Sequence, residues 1–414
     1  MPEPRKASLG AIFLTIFLDL VGFGLVLPFL PEEARDTFKS TAFVATLLSA
    51  VYSLMQFLFV PYWGRLSDRI GRRPVLVWSI GATSLANLAL GVALAYGTGI
   101  RWLFLARIFA GIATANLGTA SAYIADVTSP KDRAKGMGLI GMAFGLGFIL
   151  GPGIGGVLAS YAVNGRHGPW ACWAAAGLSF INFVWVLRGL PESLPPEMRQ
   201  HAVTRSRSPI DFGALTRTLR HPDLGRAILV NFVLVLSFAN LDQTYRFFNK
   251  DMFGMSTRET GLVLAAIGVA AALVQGGIVR QLSGRVEDAN ILRTGVFIQV
   301  IAFGLTALAP DIGRWMLYAA GILLAIGNGL SQPSVSAYVS KRASAQEQGA
   351  TLGASQSMAS LARMFGPAMG GFLYGHVSPR SPYWAAATGM ALALLIALTL
   401  PTKSPETPPP PAEA

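Results

Sequence analysis

Very little of this chain is able to face water. Charged residues make up 13% of its 414 positions, against about 25% in soluble domains. Hydrophobic residues make up 52%. A surface so poor in charge cannot enclose a soluble core, so the composition points to an integral membrane protein. Cysteine is nearly missing as well. Cys172 stands alone, which excludes an intrachain disulfide and a cysteine-built metal site. The four histidines form no H-E-x-x-H pattern, and none lies in the middle of an apolar run. There is no hydrolase triad and no ATP-binding P-loop. The expectation is a protein that is not an enzyme and holds no metal and no organic cofactor.

What the chain has instead is apolar runs long enough to cross a bilayer, which takes about 20 residues in a helix. They fall near 9–30, 42–63, 74–95, 101–126, 134–160, 169–189, 224–247, 258–280, 291–309, 314–340, 349–375 and 381–401. The first run carries Asp19 and lacks a small-residue cleavage pattern, so it reads as a retained span rather than a signal peptide. The stretch 190–223 is rich in proline, arginine and serine and reads as a linker. The tail, 402–414, reads as disordered by composition. The expected organisation is a six-helix half (1–189), the linker, and a second six-helix half (224–401).

The net charge of +12 does not imply nucleic acid. The basic residues sit in short loops between apolar runs, on no polar domain. One set of loops holds most of them, including Arg65, Arg69, Arg72, Arg73, Lys131, Lys341, Arg342 and the linker arginines. By the positive-inside rule, those loops and both termini face the cytoplasm.

An internal repeat divides the chain. "SAYIADVTSPKDRAKGMG" from Ser121 returns as "SAYVSKRASAQEQGATLG" from Ser336. "GPGIGG" from Gly151 returns as "GPAMGG" from Gly366, and "LSDR" from Leu66 as "LSGR" from Leu282. All three are offset by about 215 residues, in the same order. Six spans per half make the repeat parallel, which places a substrate site between the halves.

With "GRLSDRIGRRP" (64–74), "RIFAGIATANLGTASAYIADV" (107–127) and "GFILGPGIGG" (147–156), the chain resembles the major facilitator superfamily. Within it, the chain is similar to the twelve-span drug:proton antiporters, tetracycline efflux proteins included. The resemblance covers nearly all of the chain except linker and tail. It implies an all-α membrane fold of twelve helices in two pseudo-symmetric halves, a proton gradient as energy source, and a small-molecule substrate.

It also implies roles for residues. The 64–74 segment resembles a cytoplasmic latch. Asp68 would approach the N-terminus of span eleven near Gly349, where unpaired N–H groups favour an anion. Arg72 would pair with Asp126, and Gly64 and Gly71 would allow a tight turn and close packing. In the second half Gly284 replaces Asp68 and Lys341 replaces Asp126, so the latch is expected on one side only. Gly147, Gly151, Pro152 and Gly155 resemble the antiporter motif, expected to seal span five against span eight by small-residue packing. The relatives that export tetracycline carry an acid in span three for the metal-chelated drug. Neither span three nor span nine here has one, which argues against tetracycline itself.

Charges inside the membrane are the remaining signal, since each costs at least about 2.5–3.5 kcal/mol to insert. Asp19 lies about 15 Å from the start of span one, and Arg107 about 9 Å from the start of span four. Their depths in a core of about 30 Å differ by little more than a side chain. Burial raises a carboxylate's proton affinity and a nearby arginine lowers it. Asp19 is the expected proton-coupling acid and Arg107 its tuner, a role the resemblance supports; a static ion pair is the other reading. Arg363 could hold an anion or fix a helix. Asp242 and Arg246 have the spacing of a helical i, i+4 ion pair. Asn116, Asn328, Gln332, Gln356 and Arg363 are the expected cavity residues.

The expected function is a proton-coupled antiporter that exports a small amphipathic compound. It is expected as a multi-pass monomer of the inner (cytoplasmic) membrane, with lipid, protons and substrate as its partners. Uptake or facilitation of a small, anionic solute is the alternative. A membrane receptor or scaffold is a third, and it leaves Asp19 and Arg107 without a purpose.

Overall fold

The computed structural model describes residues 9–128, 133–194, 199, 216, 218–282, 285–342 and 348–402. Most of the expected linker and nearly all of the tail lie outside these residues, as does Gly284. The described residues are mainly helical, with an isolated β bridge between Val163 and Arg166. The first half contains α1 (Leu9–Val26), α2 (Leu30–Phe38), α3 (Ala42–Ile70), α4 (Arg72–Tyr96), α5 (Ile100–Ala113), α6 (Leu117–Val127), α7 (Arg133–Ala159) and α8 (Pro169–Gly189). The second contains α9 (Pro222–Phe253), α10 (Thr257–Leu273), α11 (Asp288–Ile312), α12 (Arg314–Arg342), α13 (Gln348–His376) and α14 (Ser381–Leu398).

Helix is what an apolar environment demands, because every backbone N–H and C=O must be satisfied within the segment. Eight of these helical stretches are long and apolar enough to cross a membrane by length and composition. Large apolar side chains point outward, with Trp78 72% and Leu273 70% exposed. Such a surface suits lipid and not water. Ends are capped where the chain turns. Thr41 Oγ1 accepts the Val44 N–H at 3.2 Å, and Ser256 with Glu259 forms a capping box at the start of α10.

Three departures from simple rods matter. The first run breaks after Val26 and resumes as α2, which carries Glu32, Glu33, Arg35 and Asp36. The fourth run breaks at Thr114–Asn116, between α5 and α6. The eighth loosens into a π-helical turn at Val274–Val279.

Helices of each half pack mainly on one another: α1 on α7 and α8, α4 on α5 and α8, α9 on α13 and α14, α11 on α12 and α14. The halves meet through α3 with α13 and α7 with α10, with lighter contact of α9 on α2 and α3. One end of the bundle, here the linker end, holds the start of α1, the end of α3 and the start of α9. The other is the α2 end. From Ala45 to Ser53, α3 is mostly buried; from Leu54 to Leu66 none of its residues is. The halves are therefore pinched together toward the α2 end and parted toward the linker end.

Candidate functional site

At the centre, Asp19 on α1 takes one hydrogen bond, from Asn116 Nδ2 to Oδ2 at 3.3 Å. The same amide nitrogen donates to Ser79 Oγ at 2.9 Å. Asp19 Oδ1 is buried with no partner. The break between α5 and α6 is what turns Asn116 toward this acid. Thr114, in the same break, has its hydroxyl 2.8 Å from Ala110 O and shares a hydroxyl–hydroxyl hydrogen bond of 2.6 Å with Tyr52 Oη, its one proton serving one of the two.

Arg107 is 2% exposed. Its guanidinium lies over the Tyr52 ring, 4.1 Å from the centroid. Its Nε donates to Leu48 O at 3.5 Å, and its Nη2 has no partner. No ion pair joins Arg107 to Asp19 among the described residues. The static pair is therefore not the arrangement here, and the expected approach of the two is not made. Tyr52 is what Arg107 touches instead. That ring also stacks on Phe23, one turn beyond Asp19, at 5.2 Å between centroids. Asp19, Arg107 and Arg363 all lie within electrostatic reach of Tyr52. Arg363 is half-buried on α13 and donates to Ser360 Oγ at 3.2 Å. Asn328 and Gln332 on α12 are half-buried, and Gln356 on α13 is exposed. Tyr52 was missed in the sequence because a tyrosine in a spanning helix has no signature of its own.

At the linker end, Arg72 Nε reaches Asp126 Oδ2 at 3.1 Å, as the sequence suggested. Arg72 also pairs with Asp68 and donates to Ser67 Oγ at 2.7 Å. Asp68 thus has its partner within its own half, and its side chain is 44% exposed. The surroundings of Gly349 lie outside the described residues. Glu192, not singled out before, caps α4 by accepting the N–H of Arg72 at 2.9 Å and of Arg73 at 3.2 Å. Gly71 is required here: its φ is +108°, and a Cβ would meet Glu192 Oε2 at 2.3 Å. The Gly64 expectation is corrected. Gly64 lies inside α3, and a Cβ on it would meet nothing within 4 Å, so neither a turn nor close packing needs it.

The second half has its own tie. Lys341 Nζ, at the end of α12, contacts Asp288 Oδ2, at the start of α11, at 2.7 Å. This joins the same two places as Arg72 and Asp126, with the signs exchanged. The 215-residue offset carried that signal, since Asp288 lies one position from the counterpart of Arg72.

The glycines of α7 divide into two faces. A Cβ on Gly147, Gly151 or Gly155 would come within 2.8, 2.5 or 2.2 Å of Leu20, Gly24 or Leu25. These residues and Pro152, whose ring also lies against Gly24, face α1 and not span eight, which corrects the expectation. The approach to α10 is made by Gly153 on Ala265 and Gly156 on Gly261. A Cβ on Gly156 would lie 2.6 Å from the Gly261 Cα. The direction follows from helical spacing: positions three residues on from Gly153 share its face, and the four-spaced set lies on another.

The α2 end holds every ion pair that joins the halves among the described residues. Arg35 grips both oxygens of Asp251 at 2.6 and 2.8 Å, and Tyr374 donates to Asp251 Oδ2 at 2.7 Å. Lys250 pairs with Asp36. Arg246 Nε meets Glu32 Oε2 at 2.7 Å, with side chains 2% and 5% exposed. Arg246 therefore serves α2 across the seam, not Asp242 one turn back. The i, i+4 reading is corrected because Glu32 comes within bonding distance and Asp242 is taken by Gln243 Nε2 at 2.8 Å. Sequence reading missed Glu32 because its partner lies 214 residues away.

The profile of the Major Facilitator Superfamily matches residues 12–356 and 300–414. The chain is 33% identical over 364 residues to the tetracycline resistance protein, class C, of Escherichia coli, covering 87% of this chain and 88% of that one. It is 30% identical to the major facilitator superfamily domain-containing protein 10 of Bos taurus, over 96% of this chain and 91% of that one. The crystal structure of the human organic anion transporter MFSD10 (TETRAN) superposes with a TM-score of 0.71 at 24% identity, covering 96% of this chain and 100% of that one.

Proposed function

Since the chain belongs to the major facilitator superfamily, we propose that this integral, multi-pass transporter exchanges protons for a small amphipathic compound and exports it by alternating access. In this reading there are twelve spans in two halves of six. The stretches α1 with α2, α5 with α6, and α10 with its π turn each count as one. The lysine and arginine bias puts the linker end in the cytoplasm of a monomer in the cytoplasmic membrane. The α2 end is then outer, and the arrangement described is open inward.

The observation that carries the reading is the unpartnered Asp19 Oδ1, buried in α1. A buried carboxylate oxygen without a donor has an unmet need, and a proton meets it by removing the charge. A cationic or polar substrate that binds at Asp19 competes with that proton. Competition for one acid is what exchange requires. The test is proton release from the purified protein on adding lipophilic cations and neutral drugs. The parent releases protons and Asp19→Asn does not. Equal release from both removes Asp19 from the mechanism. The tetracycline resistance proteins among the relatives support efflux.

A second reading has its own support, the Arg107 Nη2 that lacks an acceptor. An anionic group would satisfy it, and a related structure is that of an organic anion transporter. Here the sign of coupling reverses. An anion at Arg107 and a proton on Asp19 favour one another, so they travel together. Imposed pH gradients of each sign in vesicles distinguish exchange from co-transport.

A further inference from the structure

The exchange described above makes no use of Asp242, a second buried acid. It lies on α9 and is 6% exposed. Its Oδ2 accepts from Gln243 Nε2 at 2.8 Å. Gln243 in turn accepts, at Oε1, from Ser49 Oγ of the other half at 2.5 Å. Gln243 is 2% and Ser49 3% exposed. One amide therefore ties this carboxylate to the seam between the halves.

The charges around it do not balance. On its own helix, Arg246 is the near cation, and its Nε is bonded to Glu32 of α2 at 2.7 Å. Glu33 of α2, buried as well, also lies within the field of Arg246. Lys250 is half in solvent and pairs with Asp36. α3 brings Ser49 and Thr46, which carry no charge. α13 brings Tyr374, already donating to Asp251, Arg363, donating to Ser360, and the exposed His376, whose ring lies beside Phe43 of α3. α14 brings Tyr383, in contact with Thr244 at 3.3 Å. Arg314 on α12 and Glu259 on α10 contact each other at 3.7 Å, with side chains 45% and 50% exposed. Asp242, Glu32 and Glu33 thus share one buried guanidinium. Other basic side chains, Lys250 at 4.0 Å from Glu32 and Lys39, Arg166, His167 and Arg258 along the cleft, lie on the outer side of Glu32 and Glu33. Enclosing unbalanced charge in low dielectric is costly, and the neutral acid is the form that can be enclosed. Neither Asp242 nor Glu33 has a bonded cation among the described residues. Glu32 and Glu33 line the cleft at the α2 end, and Asp242 is the one held to the seam through Gln243.

We propose that Asp242 is a proton-binding residue that gates this seam: it takes up a proton from the α2 side as the halves close there, and loses it for them to part. Closing the seam strips water from Asp242 while Gln243 seats against Ser49. The proton comes from the α2-side solvent and sits on the carboxylate, so closure consumes one proton per molecule. Opening returns water to the carboxylate and lets it ionise. In an exporter this order is useful, since acid on the outer side drives the empty carrier back toward the cytoplasm. The inference rests on the alternating-access reading, and it adds to it a second acid with a different task from that of Asp19.

The test measures the separation of the α2 ends by spin labels at Lys39→Cys and Arg258→Cys, in full-length protein with Cys172→Ser, reconstituted in nanodiscs. All samples carry Asp19→Asn, so the coupling acid contributes nothing to the titration. The closed-to-open ratio is expected to fall as pH rises from about 5 to about 9, by up to tenfold per pH unit at its steepest, as one linked proton requires. Asp242→Asn is expected to stay closed and flat across that range. Asp242→Glu, which keeps an acid, is expected to titrate again with a displaced midpoint. If Asp242→Asn titrates as its parent does, or Asp242→Glu is flat, the proposal is overturned. The same holds if Glu32→Gln or Glu33→Gln alone abolishes the titration while Asp242→Asn keeps it. Failure of the Asp19 reading shows up separately, in the proton-release experiment.

Discussion

Replacing Glu32 with glutamine should open the α2 end. Arg246 and Glu32 are 2% and 5% exposed and bonded at 2.7 Å. Removing one partner of such a buried pair costs about 3–5 kcal/mol, because the other charge is left enclosed and unmatched. Glu33 lies within the field of Arg246 and offsets part of that loss. Lys250 forfeits a contact of 4.0 Å to Glu32, at the limit of an ion pair. A net cost of about 2–3 kcal/mol to the closed seam is the expectation. When the halves part, Arg246 regains water, so the open form escapes most of this cost. The closed-to-open ratio should then drop about 30- to 150-fold, at 1.36 kcal/mol per factor of ten. The assay is the distance between labels at Lys39→Cys and Arg258→Cys. A control is Asp311→Asn, which breaks the exposed Arg380–Asp311 pair within the second half. An ion pair this open to solvent contributes little to stability, so that variant should match the parent. If Glu32→Gln also matches the parent, the buried pair is not what holds the seam, and the reasoning is wrong.

Gly156→Leu should prevent the seam from closing, because even a Cβ there meets the Gly261 Cα at 2.6 Å; the label distance should be long and transport lost. Gly64→Ala should be silent in transport and should stabilise by up to about 1 kcal/mol, read in thermal melts, since a Cβ there meets nothing within 4 Å. Tyr52→Phe keeps the ring beneath Arg107 and loses the hydroxyl that bonds Thr114, so exchange should survive with a shifted pH profile. Tyr52→Leu removes the ring as well, a further loss of about 1–2 kcal/mol, and exchange should fall at every pH. Lys341→Asp should destabilise the second half by repelling Asp288, and the double variant with Asp288→Lys should recover the loss. A double-mutant cycle in melting experiments checks it.

The sequence announced the membrane helices because lipid imposes a constraint on every residue of a span, and length and hydropathy record it. Intramembrane charges were legible for the same reason: Asp19, Arg107 and Arg363 stand out against an apolar background. Which partner each charge finds was not legible. Arg246 sits four residues from Asp242, yet its bond crosses the seam to Glu32. Arg107 was expected beside Asp19, yet it rests on Tyr52, an aromatic side chain that no periodicity singles out. The four-spaced glycines of α7 were visible as a face, but not that this face is turned to α1. A helix pattern fixes which residues share a side and leaves open what that side meets. Asp288 is the instructive case. It paired with Lys341 through the repeat offset, and became visible only once the exchange of signs was allowed.

The two ends of the bundle differ in how their charges are spent. At the α2 end, Glu32, Arg35 and Asp36 reach across to Arg246, Asp251 and Lys250, so the ion pairs hold the halves to each other. At the linker end, Arg72 is bonded to Asp68 and Asp126 and Lys341 to Asp288, all within their own halves. If the linker end closes through the latch the sequence suggested, Asp68 has to exchange Arg72 for a partner on the second half, while the α2 end gives up its pairs to water. Asp126, 3.1 Å from Arg72 Nε, would keep that guanidinium matched when Asp68 leaves. The exposure of Asp68 makes its exchange inexpensive, and the burial of Arg246 makes the opposite opening costly. If the halves alternate as proposed, the balance between the two arrangements is set chiefly at the α2 end, where the buried pair is the costlier one to part.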